Sequence, residues 1–131
     1  MRQQSIWRLY SQLNELGILD VCPRIFEPQS KNSILLVYDE RDKFARYIHI
    51  LRSSQLCYRV MTDEDFKRFL TVSEVLDFIL LKVVGHYESR VQVWKRLRSK
   101  EMVEYYDFGL SQIKRSKAYE IYLRLKSGVF P

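Results

Sequence analysis

The stretch "EYYDFGLSQIKRSKAYEIYLRL", residues 104–125, decides the fold predicted for this chain. Its second half continues as "AYEIYLRLK", in which apolar and polar side chains alternate as they do in a strand with one buried face. The residues from Met102 to Phe108 alternate more loosely, and "GLSQIKRSK" between the two segments is basic and turn-like. We therefore predict a C-terminal β-hairpin. Such a hairpin would either hold a polyanion at its basic loop or offer a strand edge to another protein chain.

The N-terminal part of the chain shows both helical and strand periods. Apolar residues at helical spacing, followed by Gly17, predict a helix over 5–16. β-branched and apolar runs predict strands over 33–39 and 55–61. Between them, apolar residues at roughly helical spacing predict a helix over 40–52. These elements together form a β-α-β portion behind an N-terminal helix.

The central part of the chain is predicted to be helical. The segment 62–70 is interpreted as a short helix. Thr71 and Glu74 have the Ser/Thr-x-x-Glu spacing of a capping box, so a longer helix is predicted to begin there and to end at Gly85. A second helix is predicted over 86–100, with apolar residues on one stripe and basic residues over much of the remainder.

This order of elements predicts an α+β fold. We expect a small mixed domain with an N-terminal helix, a β-α-β portion, two central helices and a C-terminal β-hairpin. Residues 1–70 would form an N-terminal α/β subdomain, and residues 71–131 a C-terminal subdomain of helix plus β-hairpin.

The positive charge is concentrated in the last third of the chain. The net charge is +6, but residues 1–85 contain 12 Lys/Arg against 11 Asp/Glu, whereas residues 86–131 contain 10 against 5. A local excess of this kind attracts polyanions. The residues predicted to bind nucleic acid are Arg90, Arg96, Arg98, Lys100, Lys114, Arg115 and Lys117.

The sequence contains no catalytic motif, so no catalytic residue, metal or cofactor is predicted. Four scattered glycines form no phosphate-binding loop. The acidic clusters Asp39–Glu40–Asp42 and Asp63–Glu64–Asp65 are interpreted as helix N-terminal acids in preference to metal ligands, and His49 and His86 as residues without a catalytic role. Two isolated cysteines, and the lack of a signal peptide or an apolar run of 18 residues, predict a cytoplasmic protein without membrane partners.

Three segments, in order, resemble the archaeal tRNA-splicing endonuclease family. They are "LLVYDERDKFARYIH", "LTVSEVLDFILLK" and "VWKRLRSKEMVEYYDFG", and the span they cover is roughly 34–125. Catalytic members of that family have a His two residues after a Phe-Gly or Tyr-Gly pair, but here Phe108-Gly109 is followed by Leu110 and Ser111. The position of the family's catalytic Tyr falls near Glu101 and Met102. The resemblance therefore implies a non-catalytic structural subunit.

The resemblance also implies partners. The chain would pair with a catalytic endonuclease subunit as a hetero-oligomer, a heterotetramer in that family, and help to hold RNA, in particular precursor tRNA. Because the C-terminal strands of the family pair edge to edge, the implied subunit interface contains Tyr119, Ile121, Tyr122, Leu123, Leu125 and Phe130.

Two alternatives stay open beside this interpretation. One is a stand-alone basic nucleic-acid-binding protein of viral or mobile-element type, and the other is a protein–protein adaptor whose charge only aids solvation. Tyrosines in the 104–125 stretch would stack on unpaired bases in the first case. At strand spacing they more often serve cross-strand packing.

Overall fold

The computed structural model describes residues 4–22, 24–26, 32–41, 46–53 and 57–128. Within these residues, five strands form one antiparallel sheet in which each strand pairs with the next in the chain, so the spatial order is β1-β2-β3-β4-β5. Their bounds are β1 Arg24–Phe26, β2 Ser33–Asp39, β3 Arg46–Arg52, β4 Tyr58–Thr62 and β5 Phe66–Phe69. Sequential pairing of this kind needs only short connections.

The described part of the chain also forms four α-helices, which pack with one face of this sheet into a single core. Their bounds are α1 Gln4–Leu16, α2 Val72–Arg96, α3 Lys100–Lys114 and α4 Lys117–Ser127, and a 3₁₀ turn over Ile18–Val21 follows α1. Residues of every helix join the inward residues of β2, β3 and β4 in one buried cluster. No helix within the described ranges combines the length and apolar content needed to cross a bilayer.

The predicted α+β class is confirmed, as are several of its elements. The N-terminal helix ends as predicted at Gly17, whose φ of 84° lies in the left-handed region that favours glycine. The strand predicted over 33–39 is β2 with the same bounds. At the start of α2, the Thr71 hydroxyl accepts from the Glu74 backbone N–H and the Glu74 carboxylate accepts from the Thr71 N–H, each at 3.1 Å. The sequence therefore identified this capping box correctly.

The helix predicted over 40–52 is wrong where the structure describes it, because Arg46–Arg52 is strand β3. Ile48 and Ile50 are fully buried, while Tyr47 and His49 lie on the other side of the strand, as a period of two requires. The same segment also fits a helical period, and pairing with β2 and β4 decides between the two. The predicted β-α-β portion is therefore an antiparallel meander.

Two further predictions in the central segment are wrong. The short helix predicted over 62–70 is a turn followed by strand β5. The two helices predicted to meet at Gly85 are one continuous helix, α2. A glycine lowers helix propensity by about 1 kcal/mol but does not require a break, and packing on both sides of Gly85 outweighs that penalty. The Tyr122 hydroxyl lies 3.8 Å from where a Cβ at position 85 would be.

The predicted C-terminal β-hairpin is also wrong, because this segment forms α3 and α4. Burial in α3 follows helical spacing at Tyr106, Leu110 and Ile113, and in α4 at Ala118 and Tyr122. The alternation in "AYEIYLRLK" predicted a strand that buries positions 119, 121, 123 and 125, whereas the helix buries Ala118 and Tyr122, four residues apart.

Local signals in the same stretch favour helices. The Ser99 side chain accepts the Met102 N–H at the start of α3, and Gly128 with a φ of 74° ends α4. The nuclease-like character that the resemblance implied depended on strands at these positions. The division at residue 70 stays a prediction, although it falls where the sheet ends and α2 follows.

Candidate functional sites

The seven basic residues predicted to bind nucleic acid lie at three separate places. Three lie at the α2–α3 turn, three at the α3–α4 turn, and one on α2 beside the sheet. In that order they are Arg96, Arg98 and Lys100; Lys114, Arg115 and Lys117; and Arg90. Because α3 contains 15 residues, its length of about 22 Å separates the two turns. These residues therefore do not form one patch.

The predicted subunit interface lies on α4 where the structure describes it. Tyr122 is buried, and its hydroxyl donates to Glu88 of α2 at 2.7 Å. Leu123 is 46% exposed. Tyr119, Ile121 and Leu125 are partly buried against the core, whereas Phe130 lies outside the described residues. A helix has no free strand edge, so pairing edge to edge is not available to this segment.

The outer face of the sheet is the first candidate site. Strand register assigns ten described positions of β2–β5 to this face, and none of them is Asp or Glu. No described helix packs on it, and its side chains range from partly buried to exposed except at Val37. The ten are Ser33, Leu35, Val37, Tyr47, His49, Leu51, Arg59, Met61, Phe66 and Arg68.

Two arginines face each other on this outer face. Arg59 of β4 lies directly opposite Arg68 of β5, and both are exposed. Phe66 and His49 lie in the adjacent cross-strand row, about 7 Å along the strands. Phe66 is 56% exposed, and the guanidinium of Arg68 lies 5.9 Å from its ring centre. A cationic pair therefore adjoins an open aromatic surface.

A buried cluster on the opposite side of the sheet is the second candidate site. Asp39, at the end of β2, is fully buried. Its Oδ2 accepts from the Tyr106 hydroxyl at 2.7 Å and lies 2.6 Å from His86 Nε2, while its Oδ1 accepts the Arg41 backbone N–H at 2.8 Å. An ionised Asp39 requires that Nε2 carry a proton. The carboxylate therefore joins β2 to α2 and α3 and fixes the His86 ring.

Hydrogen bonding determines the ionisation of this carboxyl. Burial alone would raise the pKa of Asp39, but the hydrogen bonds from His86 and Tyr106 outweigh it, so the pKa lies below its usual range. Aromatic rings surround the pair, with the His86 ring centre 5.3 Å from that of Tyr38 and 6.3 Å from that of Tyr106. The environment therefore keeps a charged Asp39 in a site that excludes water.

The rim of this cluster opens into a pocket of about 320 Å³. His86 and Arg90 of α2 line it together with Arg46 of β3. The Asp63–Glu64–Asp65 cluster lies beside it in the β4–β5 turn, where Thr62 Oγ1 accepts the N–H groups of Glu64 and Asp65. The acids therefore do not begin a helix, which corrects their interpretation. In the described parts of the chain, no three His, Cys, Asp or Glu side chains are placed to hold a metal ion.

Comparison with known proteins gives a plain result. No family model, curated protein or solved structure matches this chain. Its function is therefore inferred from the two sites themselves.

Sequence analysis missed the outer face for one reason. Assigning 40–52 to a helix removed Tyr47 and His49 from any sheet, and assigning 62–70 to a helix removed Phe66 and Arg68. The alternation of Tyr47, His49 and Leu51 with two isoleucines was the available signal. His86 and Asp39 were both noted in the sequence, but their separation of 47 residues gave no indication that they touch.

Proposed function

We propose that this protein binds single-stranded nucleic acid on the outer face of its sheet. The observation that carries the proposal is the Arg59–Arg68 pair beside exposed Phe66, on a face whose ten positions in β2–β5 include no carboxylate. Two like charges directly opposite each other destabilise a sheet. A bound phosphate would offset that cost.

The chemistry of the face matches a flexible, unpaired strand. Exposed aromatic side chains stack on bases that are not paired, which contributes about 1–3 kcal/mol per base. Arginine binds phosphate bidentately. The ring of Phe66 and the Arg59–Arg68 pair thus belong to adjacent cross-strand rows, which are about 7 Å apart along the strands. A duplex, with its bases stacked inside, would make only the phosphate contacts.

Fluorescence anisotropy with short labelled oligonucleotides tests the proposal. We expect single-stranded RNA and DNA to bind more tightly than the matched duplex, with an affinity that falls as salt rises. Phe66→Ala should weaken binding about tenfold, as the loss of one stacked base predicts. Arg68→Gln should weaken it and reduce the magnitude of the salt slope by about 0.7, the value for one phosphate contact on a single strand.

The matched control is Phe108→Ala. Phe108 is 66% exposed on α3 and does not lie on the outer face, so its loss should leave affinity unchanged. Circular dichroism confirms that each variant is folded. Equal losses in Phe66→Ala and Phe108→Ala, or no binding at low salt, would refute the assignment to the outer face.

Participation in a tRNA-splicing endonuclease stays a prediction. RNA is a ligand in both interpretations, so the discriminating experiment is affinity purification from native extract followed by assay on intron-containing tRNA precursor. Recovery of a catalytic partner with cleavage activity would support the subunit role. We also propose a cytoplasmic location, which the two unpaired thiols of Cys22 and Cys57 favour.

A further inference from the structure

Basic side chains line the pocket beside His86. Lys82, His86 and Arg90 follow one another at intervals of four residues on α2, so they share one helix face, and all three line the pocket. Arg46 adds a fourth basic side chain from β3.

One acidic turn pairs with two of these basic side chains, Arg46 and Lys82. Arg46 pairs with Asp63 and, at 3.2 Å, with Glu64, while Lys82 Nζ lies 2.6 Å from Asp65. All three carboxylates come from consecutive residues between β4 and β5. Glu64 also lines the pocket, and its side chain is 63% exposed, so this carboxylate can move into water at little cost.

We propose that this pocket binds a phosphate monoester and that the Asp63–Glu64–Asp65 turn pairs with Arg46 and Lys82 when the ligand is absent. Two guanidinium groups, an ammonium group and the Ser89 hydroxyl line the same space. A tetrahedral dianion can accept from several such donors at once, whereas a carboxylate has only two oxygens. Asp39 acts here as a positioning residue, because its bond to Nε2 sets the orientation of the His86 ring.

This second site does not rest on the outer-face proposal. Its residues come from α2, the ends of β2 and β3 and the β4–β5 turn, and none of them belongs to the outer face. Phe66→Ala should therefore leave phosphate binding unchanged. Conversely, Arg90→Gln should leave stacking on Phe66 unchanged.

Titration of the ¹⁵N-labelled protein with inorganic phosphate, followed by NMR and calorimetry, tests the site. We expect saturable shifts centred on α2 and the acidic turn, and weaker shifts with acetate. Arg90→Gln should weaken phosphate binding about tenfold, since it removes a charge-assisted donor. Glu64→Gln should strengthen it about two- to fivefold, because an exposed competing carboxylate is gone.

Lys95→Gln is the matched control, since Lys95 is an exposed cation of α2 outside this pocket. It should leave the affinity unchanged. A purely structural acidic turn would make Glu64→Gln neutral or weakening. That result, the absence of saturable shifts, or equal losses in Lys95→Gln and Arg90→Gln would overturn the proposal.

A second pair of probes distinguishes two sources of the phosphate. Adenosine monophosphate represents a free nucleotide, and a 5′-phosphorylated oligonucleotide represents a nucleic-acid end. Tighter binding of the 5′-phosphorylated than of the 5′-hydroxyl oligonucleotide, lost in Arg90→Gln, supports a strand-end ligand. Saturable binding of the mononucleotide alone supports a free nucleotide, and failure of both probes to bind in the pocket would overturn the monoester assignment.

Discussion

Replacing Tyr106 by Phe tests how much the buried hydrogen bond to Asp39 stabilises the fold. Both residues are fully buried, and the hydroxyl lies 2.7 Å from a carboxylate oxygen. Phe keeps the ring, which packs edge-on against Tyr87 and Tyr105 with centres 5.7 and 5.0 Å away. The substitution therefore removes the hydroxyl donor and keeps the ring.

The magnitude follows from the character of this bond. A hydrogen bond to a charged group contributes about 1.5–3 kcal/mol, and burial places this one in a low-dielectric environment. We expect Tyr106→Phe to lower the free energy of unfolding by about 2 kcal/mol at neutral pH, which corresponds to a decrease in Tm of about 8 °C for a chain of this size. Urea denaturation followed by circular dichroism measures the change.

The pH dependence of the free energy of unfolding distinguishes the contribution of this hydrogen bond from that of ring packing. The hydrogen bonds hold the folded-state pKa of Asp39 below its usual range, so their stabilising contribution is present above the ordinary Asp value of about 3.9 and is lost as pH falls through the lowered folded value. The difference between wild type and Tyr106→Phe should therefore shrink in acid. Tyr119→Phe, on a partly buried ring, is the control and should change stability by less than about 0.5 kcal/mol. A pH-independent loss, or one no larger than the control, would refute this account.

Two other predictions concern stability and thiol reactivity. A Cβ at Gly109 would lie 2.4 Å from the Tyr87 ring, so we expect Gly109→Ala to destabilise the protein by about 1–3 kcal/mol in thermal denaturation. The control is Gly85→Ala, whose Cβ would lie 3.8 Å from its nearest neighbour, the Tyr122 hydroxyl. This variant should be neutral or stabilising. An equal loss of stability in Gly109→Ala and Gly85→Ala would contradict this prediction. Burial, assisted by the nearby Asp20 carboxylate, raises the pKa of Cys22 to about 12. A thiol reagent at neutral pH should therefore label the partly exposed Cys57 in the folded protein and label Cys22 only after unfolding, which mass spectrometry measures. Equal rates of labelling of Cys22 and Cys57 in the folded protein would contradict this prediction.

Elements with a single strong signal were predictable from the sequence. The capping box of Thr71 and Glu74 and the stop at Gly17 each require particular residue types at particular spacing. The strand over Ser33–Asp39 contains an apolar run too short for a helix. These elements have few competing interpretations, so local chemistry determines them.

Elements whose apolar residues fit both the helical and the strand period were not predictable from the sequence. The alternation over 118–126 predicts a strand that buries positions 119, 121, 123 and 125, whereas burial of Ala118 and packing of Tyr122 against α2 select a helix. Likewise, Ile48 and Ile50 fit β3 once β2 and β4 lie on either side. Neither candidate site was predictable without the correct helix and strand assignments, because the outer face and the pocket exist only after the elements are assembled.

The docking of α1 has a consequence for the synthesis of the chain. Ile6, Leu9 and Leu13 are fully buried, yet the helix α2 that they pack toward begins at Val72, and a Cβ at Gly17 would touch Ser116. About a hundred residues thus separate the end of α1 from its last contact, which takes about 5–20 s to translate. During that interval α1 can contact the Ile18–Val21 turn and β2 but not α2 or Ser116, while the strands of the meander can already pair. We therefore expect α1 to complete its docking only after Ser116 has been synthesised.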